Sequence, residues 1–339
     1  MMISRLQIYV VGCDLSPETG EGFLALSLID LMQTRFAVKV YTDWMVRFLR
    51  RSPLFRDRVL PIYIFFVCLV LRVGQHKVVL LNYVPIWNFL NAFLARFGVR
   101  LAPITGSTLL VPARPTMCEW VKRKYVQKLL ILLTECFLPR RTFLWCATPS
   151  VFLELQRAGM ENLCFGFPYL NKIQPLSPVS PVFDVFIYSG THAIKNHEAV
   201  RQFIAHPMAH RLKVCYVGPT LGNQPHISSH CGISEEEFNQ LLAKSRLYVT
   251  FSYEDSGITG FKALAYGVAV LCPQKSGLAF SLEYDESHCY PDPHDADEIH
   301  NRITLLLATP PASRKDLTET FHHLKDKSST SADTWLLSL

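Results

Sequence analysis

Ser-Arg-Leu-Tyr-Val-Thr-Phe-Ser-Tyr-Glu-Asp-Ser-Gly-Ile-Thr-Gly-Phe-Lys-Ala-Leu-Ala-Tyr-Gly-Val-Ala-Val-Leu-Cys, residues 245 to 272, reads as strand, loop, helix and strand. Leu247 to Phe251 is a β-branched and aromatic run that suits a buried strand. Ser252 to Ser256 is polar and forms the loop. Apolar residues then recur at Ile258, Phe261, Ala265 and Tyr266 with near-helical spacing, and Gly267 stops the helix as a glycine just past its end would. Val268 to Leu271 is the next strand. In such a βαβ unit the acidic loop and the helix N-terminus lie at the carboxyl edge of a parallel sheet, where open α/β folds bind ligands. Backbone N–H groups at Gly257, Ile258 and Thr259 favour a phosphate there.

The same window resembles the nucleotide-binding motif of retaining GT-B glycosyltransferases of the family-4 type. That motif has a Glu, a Gly-containing loop, a second Glu eight positions on, and then Ala-x-Ala-x-Gly-x-Pro-Val. Glu254 is the first Glu, and Ala263, Ala265, Gly267 and Val270 keep the rest. Lys262 stands in place of the second Glu and Ala269 in place of the Pro. Upstream, Gly232-Ile233-Ser234-Glu235-Glu236-Glu237 is similar to the family's loop and helix before this strand. The resemblance implies an α/β chain of the GT-B class, with two Rossmann-like doubly wound parallel-sheet domains facing a cleft. It also implies that Glu254 holds hydroxyls of the donor sugar and that Ser256, Gly257, Ile258 and Thr259 line the donor site. The family's second Glu accepts hydrogen bonds from the ribose, whereas a Lys has donors only. Lys262 then donates to a ribose oxygen, pairs with Glu254 or Asp255, or marks a site without its usual donor.

A second stretch carries the resemblance further. The apolar run Val182 to Tyr188 reads as the first strand of the second domain and leads into Ser189-Gly190-Thr191-His192-Ala193-Ile194-Lys195-Asn196. Here the family has Gly-Arg and then Lys-Gly or Lys-Asn, whose cations hold the donor diphosphate. Gly190, Lys195 and Asn196 are kept, and Thr191 replaces the Arg. Pro219 to Gly232 is expected to be a polar loop at the nucleotide base.

At 339 residues the chain accommodates two α/β domains. The Pro- and Ser-containing stretch around Leu176 to Pro181 has linker composition and sets the expected boundary. Residues 1–175 are read as the acceptor-side domain, 176–310 as the nucleotide-sugar domain, and 311–339 as a carboxyl-terminal helix that crosses back and ends in a frayed tail. In the first domain, Leu6 to Gly12 reads as a strand and the helix after it runs roughly from Phe23 to Gln33. Gly20-Glu21-Gly22-Phe23-Leu24-Ala25 fits the spacing of a dinucleotide fingerprint but lies eight residues beyond its strand, which weakens the match. The resemblance implies that Gly20 and Gly22 belong to an acceptor-side loop, with a plain helix-start loop as the alternative. Ala102-Pro-Ile-Thr-Gly-Ser107, with Thr105 and Gly106, is similar to a segment of lipopolysaccharide-type glycosyltransferases and is assigned to the cleft wall.

The ten Cys form no Cys-x-x-Cys pair and are read as buried thiols of a reducing cytoplasm. Residues 1 to 180 carry 21 Lys and Arg against 10 Asp and Glu, and residues 181 to 339 carry 13 against 18. The halves are thus net +11 and −5, in agreement with the +6 of the whole chain. A basic half attracts an anionic membrane surface. Val59 to Val73 is the longest apolar stretch. It falls short of the ~20 residues needed to cross a bilayer and reads as a buried helix, with an interfacial helix as the alternative. No nucleic-acid motif is present, and G-x-S-x-G and P-loop motifs are absent. A carboxylate-held metal of the GT-A kind is not expected.

The resulting expectation is a metal-independent enzyme with no cofactor that transfers a sugar from a nucleotide-diphosphate sugar to a glycan or lipid-linked acceptor, with retention, in surface polysaccharide or lipopolysaccharide assembly. Its expected place is the cytoplasm or the inner membrane face. The alternatives are a GT-B-fold binding or scaffold protein without turnover and another Rossmann-like sugar-nucleotide enzyme.

Overall fold

In a computed structural model of the chain, residues 245–272 contain a strand, a helix and a second strand in the order read. The structure describes residues 7–11, 20–41, 49, 60–81, 93–101, 144–146, 149, 152–153, 156, 161–177, 179–189, 195–221, 224–253, 257–283, 286–308 and 314–338. Contacts divide the chain into one unit of Met1–Tyr169 with Lys327–Leu339 and a second of Leu170–Asp326.

In the first unit, β1 (Gln7–Val11), α1 (Gly20–Gln33), β2 (Ala37–Val40), α2 (Leu60–Val73), β3 (Lys77–Leu80) and β4 (Arg100–Leu101) follow one another. The four strands form a sheet in the order β2-β1-β3-β4, and each neighbouring pair is parallel. A separate parallel pair joins β5 (Leu144–Cys146) to β6 (Leu163–Phe165). Val11, Val78 and Leu80 pack with Val67 and Cys68 of α2 to form the core on one side of the sheet. Gly20 and Gly22 lie within the first turn of α1 rather than in a loop before it, which corrects the reading of that segment. Glycine suits such a turn because its missing Cβ leaves the backbone amides open.

The second unit contains β7 (Phe183–Tyr188), α3 (His197–Ala205), β8 (Val214–Val217), β9 (Ile227–His230), α4 (Glu235–Ala243), β10 (Ser245–Val249), α5 (Ile258–Ala265), β11 (Ala269–Pro273), α6 (Gly277–Leu282), β12 (Cys289–Tyr290) and α7 (Ala296–Ala308). Its sheet runs β12-β11-β10-β7-β8-β9, parallel throughout. Strand β9 was not expected in the Pro219–Gly232 loop. Its half-exposed Ile-Ser-Ser-His sequence carries no apolar run because it lies at the sheet edge. Along β7, side chains alternate between two helical layers. Val185 and Ile187 pack on Ala199, Val200 and Phe203 of α3, while the rings of Phe186 and Tyr188 stand edge-on to Phe238 of α4, 5.3 and 5.2 Å away. This two-sided burial gives the doubly wound arrangement.

The last helix, α8 (Arg314–Ser338), is continuous, which corrects the expected frayed tail. Phe321, Ser328, Ala332, Trp335 and Leu336 are buried along it. That burial overrides the weak helix preference of the Ser- and Thr-rich stretch between them.

Candidate functional site

The second sheet reverses its winding between β7 and β10. From β7 the chain proceeds outward to β8 and β9, then returns to the other side of β7 and proceeds through β10, β11 and β12. Ligands of open α/β sheets bind outside the carboxyl ends of the strands at such a reversal. The two segments that leave those strand ends lead into α3 and α5, and they contain both stretches picked out from the sequence.

Both helices begin on a left-handed residue, Asn196 at φ 51° and Gly257 at φ 56°, and neither of these residues caps its helix with a side chain. Asn tolerates this conformation and Gly adopts it freely. Elsewhere in the unit, Ser234 Oγ accepts from the amide of Glu237 and Ser276 Oγ from that of Ala279, each at 3.1 Å. The helices at the winding reversal therefore present first-turn N–H groups, including those of Ile258 and Thr259, without a side-chain cap at the position where an anion gains most. Gly257 is also required by packing, because a Cβ there would come within 2.9 Å of Leu278 Cδ1. At the other end of α5, Val268 N donates to Ala263 O at 2.8 Å and Gly267 N to Leu264 O at 2.9 Å, with Gly267 at φ 69°. This pattern closes the helix on the glycine that the sequence marked as its stop.

Lys195 precedes Asn196, and its Nζ lies 4.9 Å from the centroid of the Tyr188 ring. The Tyr188 ring is edge-on to Phe238, and Lys262 Nζ is 5.9 Å from the centroid of Phe238. Two aromatic rings thus carry the two lysines, each held by cation–π attraction. Lys262 donates to Glu235 Oε1 at 2.7 Å and to Asn239 Oδ1 at 3.3 Å, both on α4. This partner is none of those expected for it. Burial and the Glu235 carboxylate raise the Tyr266 hydroxyl to about 12, so it stays protonated as a donor.

Next to Asn196, His197 Nδ1 and the buried Ser189 Oγ are 2.7 Å apart. This pair was not picked out from the sequence, although His197 directly follows Lys195-Asn196. With Glu198, Arg201, Pro219, Thr220 and Leu221, His197 lines a cavity of about 390 Å³. Gly218 at the end of β8 permits the close approach, since a Cβ would meet the Ser189 carbonyl at 2.3 Å.

The strand side of the acidic loop is fixed in the core. Thr250, Phe251 and Ser252 are buried, Tyr290 donates to the Thr250 carbonyl, and Phe251 packs 5.3 Å from Phe203. Glu254 and Ser256 lie outside the described residues, as do Gly190, Thr191, Thr105 and Gly106. An Asp-x-Asp spacing, the pattern by which GT-A enzymes hold a metal, occurs at Asp295-Ala296-Asp297. Its carboxylates have structural partners: Asp295 Oδ1 accepts from Glu298 N at 3.0 Å at the start of α7, and Asp297 pairs with His206 at 3.0 Å. Among the described residues no three His, Cys, Asp or Glu side chains cluster to hold a metal.

No protein-family model matches the sequence, and no curated protein is detectably similar to it. Solved structures do resemble it. The sucrose-phosphate synthase of Thermosynechococcus elongatus aligns over 97% of both chains at 13% identity with a TM-score of 0.64. Anabaena HepE, crystallised with UDP and glucose, aligns over 98% of this chain and 100% of its own at 13% identity and a TM-score of 0.62. A glycosyltransferase of Rickettsia africae aligns over 98% and 96% at 12% identity and 0.59. The fold is therefore the α/β GT-B fold of glycosyltransferases.

Proposed function

We propose that the protein is a glycosyltransferase that moves a sugar from a nucleotide-diphosphate sugar to a glycan or lipid-linked acceptor, with retention of configuration and without a metal, in surface polysaccharide or lipopolysaccharide assembly. The observation that carries this reading is the pair of helix N-termini without side-chain caps at the winding reversal, with Lys195 beside one of them. Breaking the anomeric C–O bond leaves negative charge on the diphosphate. Preorganised amides and a fixed ammonium stabilise that charge as it develops. In this reading Lys195 and the amides of Gly257, Ile258 and Thr259 hold the diphosphate. His197 donates to it through Nε2–H, with its other ring nitrogen engaged by Ser189. Arg201, in the same cavity, supplies positive charge that Thr191 lacks.

Glu254 holds the sugar hydroxyls. The carboxylate absent at Lys262 comes instead from Glu235, which accepts from the ribose hydroxyls while Lys262, itself held by Asn239, orients it. The leaving phosphate takes the acceptor proton, so no side-chain nucleophile is required. Complexes of Anabaena HepE with UDP and with UDP-glucose support uridine diphosphate as the first ligand to try.

A thermal-stabilisation screen with nucleoside diphosphates and nicotinamide dinucleotides tests the reading. Stabilisation by a nucleoside diphosphate, retained in Glu254→Ala while sugar transfer is lost, is the expected result. Stabilisation by nicotinamide dinucleotides alone would overturn it. Diphosphate binding with no transfer to any acceptor would favour a binding protein on the same fold.

A further inference from the structure

Helix α2 has the sequence Leu-Pro-Ile-Tyr-Ile-Phe-Phe-Val-Cys-Leu-Val-Leu-Arg-Val and carries one charge, Arg72, in 14 residues. A helix that lies on a core normally turns a polar face to water. This one buries Val67 and Cys68 against β3 and turns Ile62, Phe66, Val70 and Val73 outward, with exposures of 44, 58, 71 and 84%. These four positions are spaced by four, four and three residues and so share one helix face. A contiguous exposed apolar stripe of this kind marks an interaction surface. Among the described residues no helix is long and apolar enough to cross a membrane.

Charge identifies what covers the stripe. Arg47 to Arg58, just before the helix, holds five Arg against the single Asp57. At the other end of the helix, Arg72, Lys77 and Arg100 line a cavity of about 250 Å³ with Gly98 and the strand starts. Arg72 braces this end by donating from Nε to Phe97 O and from Nη1 to His76 O, each at 2.9 Å. The apolar stripe thus ends beside this cationic cavity and follows a basic stretch of sequence. An apolar face flanked by cations fits the headgroup boundary of an anionic bilayer, where the side chains enter the acyl region and the cations meet phosphates.

We propose that α2 docks the protein on an anionic membrane, with Phe66 and Val70 inserted below the headgroups and a lipid phosphate held in the Arg72–Lys77–Arg100 cavity. The proposal rests on the reading above only in giving the lipid-linked acceptor its membrane. Its residues are separate from those of the diphosphate site.

The test is co-sedimentation of the full chain with vesicles of phosphatidylcholine alone and with added phosphatidylglycerol, at low and high salt, together with uridine diphosphate titration in the absence of vesicles. The expected result is partition onto the anionic vesicles that weakens with salt. In the Phe66→Asp/Val70→Asp variant, partition should fall by about tenfold or more, as the loss of two buried apolar side chains implies. Lys77→Gln/Arg100→Gln should reduce the preference for anionic over neutral vesicles, and both variants should bind uridine diphosphate like the parent. Partition that is absent in the parent, equal on neutral and anionic lipid, or unchanged in Phe66→Asp/Val70→Asp would overturn the proposal. So would a parent dimer that Phe66→Asp converts to monomer while vesicle binding persists, because the stripe would then be the seat of a second copy. A failure of diphosphate binding with vesicle binding intact counts against the nucleotide reading alone.

Discussion

Lys262 and Glu235, 27 residues apart in sequence, form a 2.7 Å ion pair that ties the second turn of α5 to the start of α4. The lysine is mostly buried, with 14% of its side chain exposed, whereas the glutamate is 75% exposed. The pair therefore contributes little through Coulomb attraction, on the order of 0.2–1 kcal/mol. Its effect is to fix where a carboxylate stands beside the winding reversal.

Replacing Lys262 by Glu, which would restore the residue usual in the resembling family, is expected to harm this protein. It sets two carboxylates side by side and frees Glu235. Urea unfolding should show a loss of about 1 kcal/mol, and adding Glu235→Lys should recover most of it. Glu235→Ala alone should weaken uridine diphosphate by roughly tenfold or more, the scale of a hydrogen bond to a charged group, while leaving inorganic pyrophosphate unaffected. Equal loss for both ligands would remove Glu235 from the ribose.

The end of α8 is anchored by aromatic packing. The Trp145 and Trp335 rings are fully buried, with centroids 5.8 Å apart, and Ser328 Oγ accepts from Phe167 N at 2.7 Å. Gly166 makes room for this contact, since a Cβ would meet Ser328 Oγ at 2.7 Å. Trp335→Ala should cost about 3–5 kcal/mol in chemical denaturation, the usual scale for deleting a buried Trp. A cost below about 1 kcal/mol would mean that this part of the helix is not anchored in the core.

Acid should loosen the second unit through His300. Its ring is buried, stacks 4.2 Å from Phe203 and donates from Nε2 to the Phe203 carbonyl at 3.3 Å. Burial lowers its pKa below the ordinary imidazole range. The neighbouring His206 acts in the same direction, against the Phe203 carbonyl and Asp297. The fold thus holds His300 neutral, whereas the unfolded chain takes up a proton near about pH 6.5. The stabilising contribution is complete above that pH and is lost as pH falls below it. Thermal unfolding between about pH 7 and pH 5 should show this decline, and His300→Gln should flatten it. His226, whose pKa is also lowered by burial, leaves a residual slope in that variant. An unchanged slope in His300→Gln would place the acid sensitivity elsewhere.

Much of the site was legible because its signals are local. The strand at Leu247, the helix stop at Gly267 and the lysine before Asn196 each follow from neighbouring residues. What the sequence hid depends on distance or on burial. The partner of Lys262 lies on another helix, and Ser189 meets His197 from eight positions away in the sequence. Strand β9 is polar because it forms a sheet edge, and the Ser-rich part of α8 is helical because Trp335 and Phe321 are buried. The outward face of α2 was half read: the apolar run was evident, but the side it leaves exposed was not.

The central claim is that the first turns of α3 and α5, with Lys195, hold a nucleoside diphosphate. Calorimetric titration of uridine diphosphate into the parent protein and into Lys195→Ala tests it most directly. Removing one charge-assisted contact should weaken binding by roughly ten- to hundredfold, with the thermal stability of the unliganded protein little changed. Equal affinity in the parent and Lys195→Ala would contradict the assignment of this edge of the sheet as the diphosphate site.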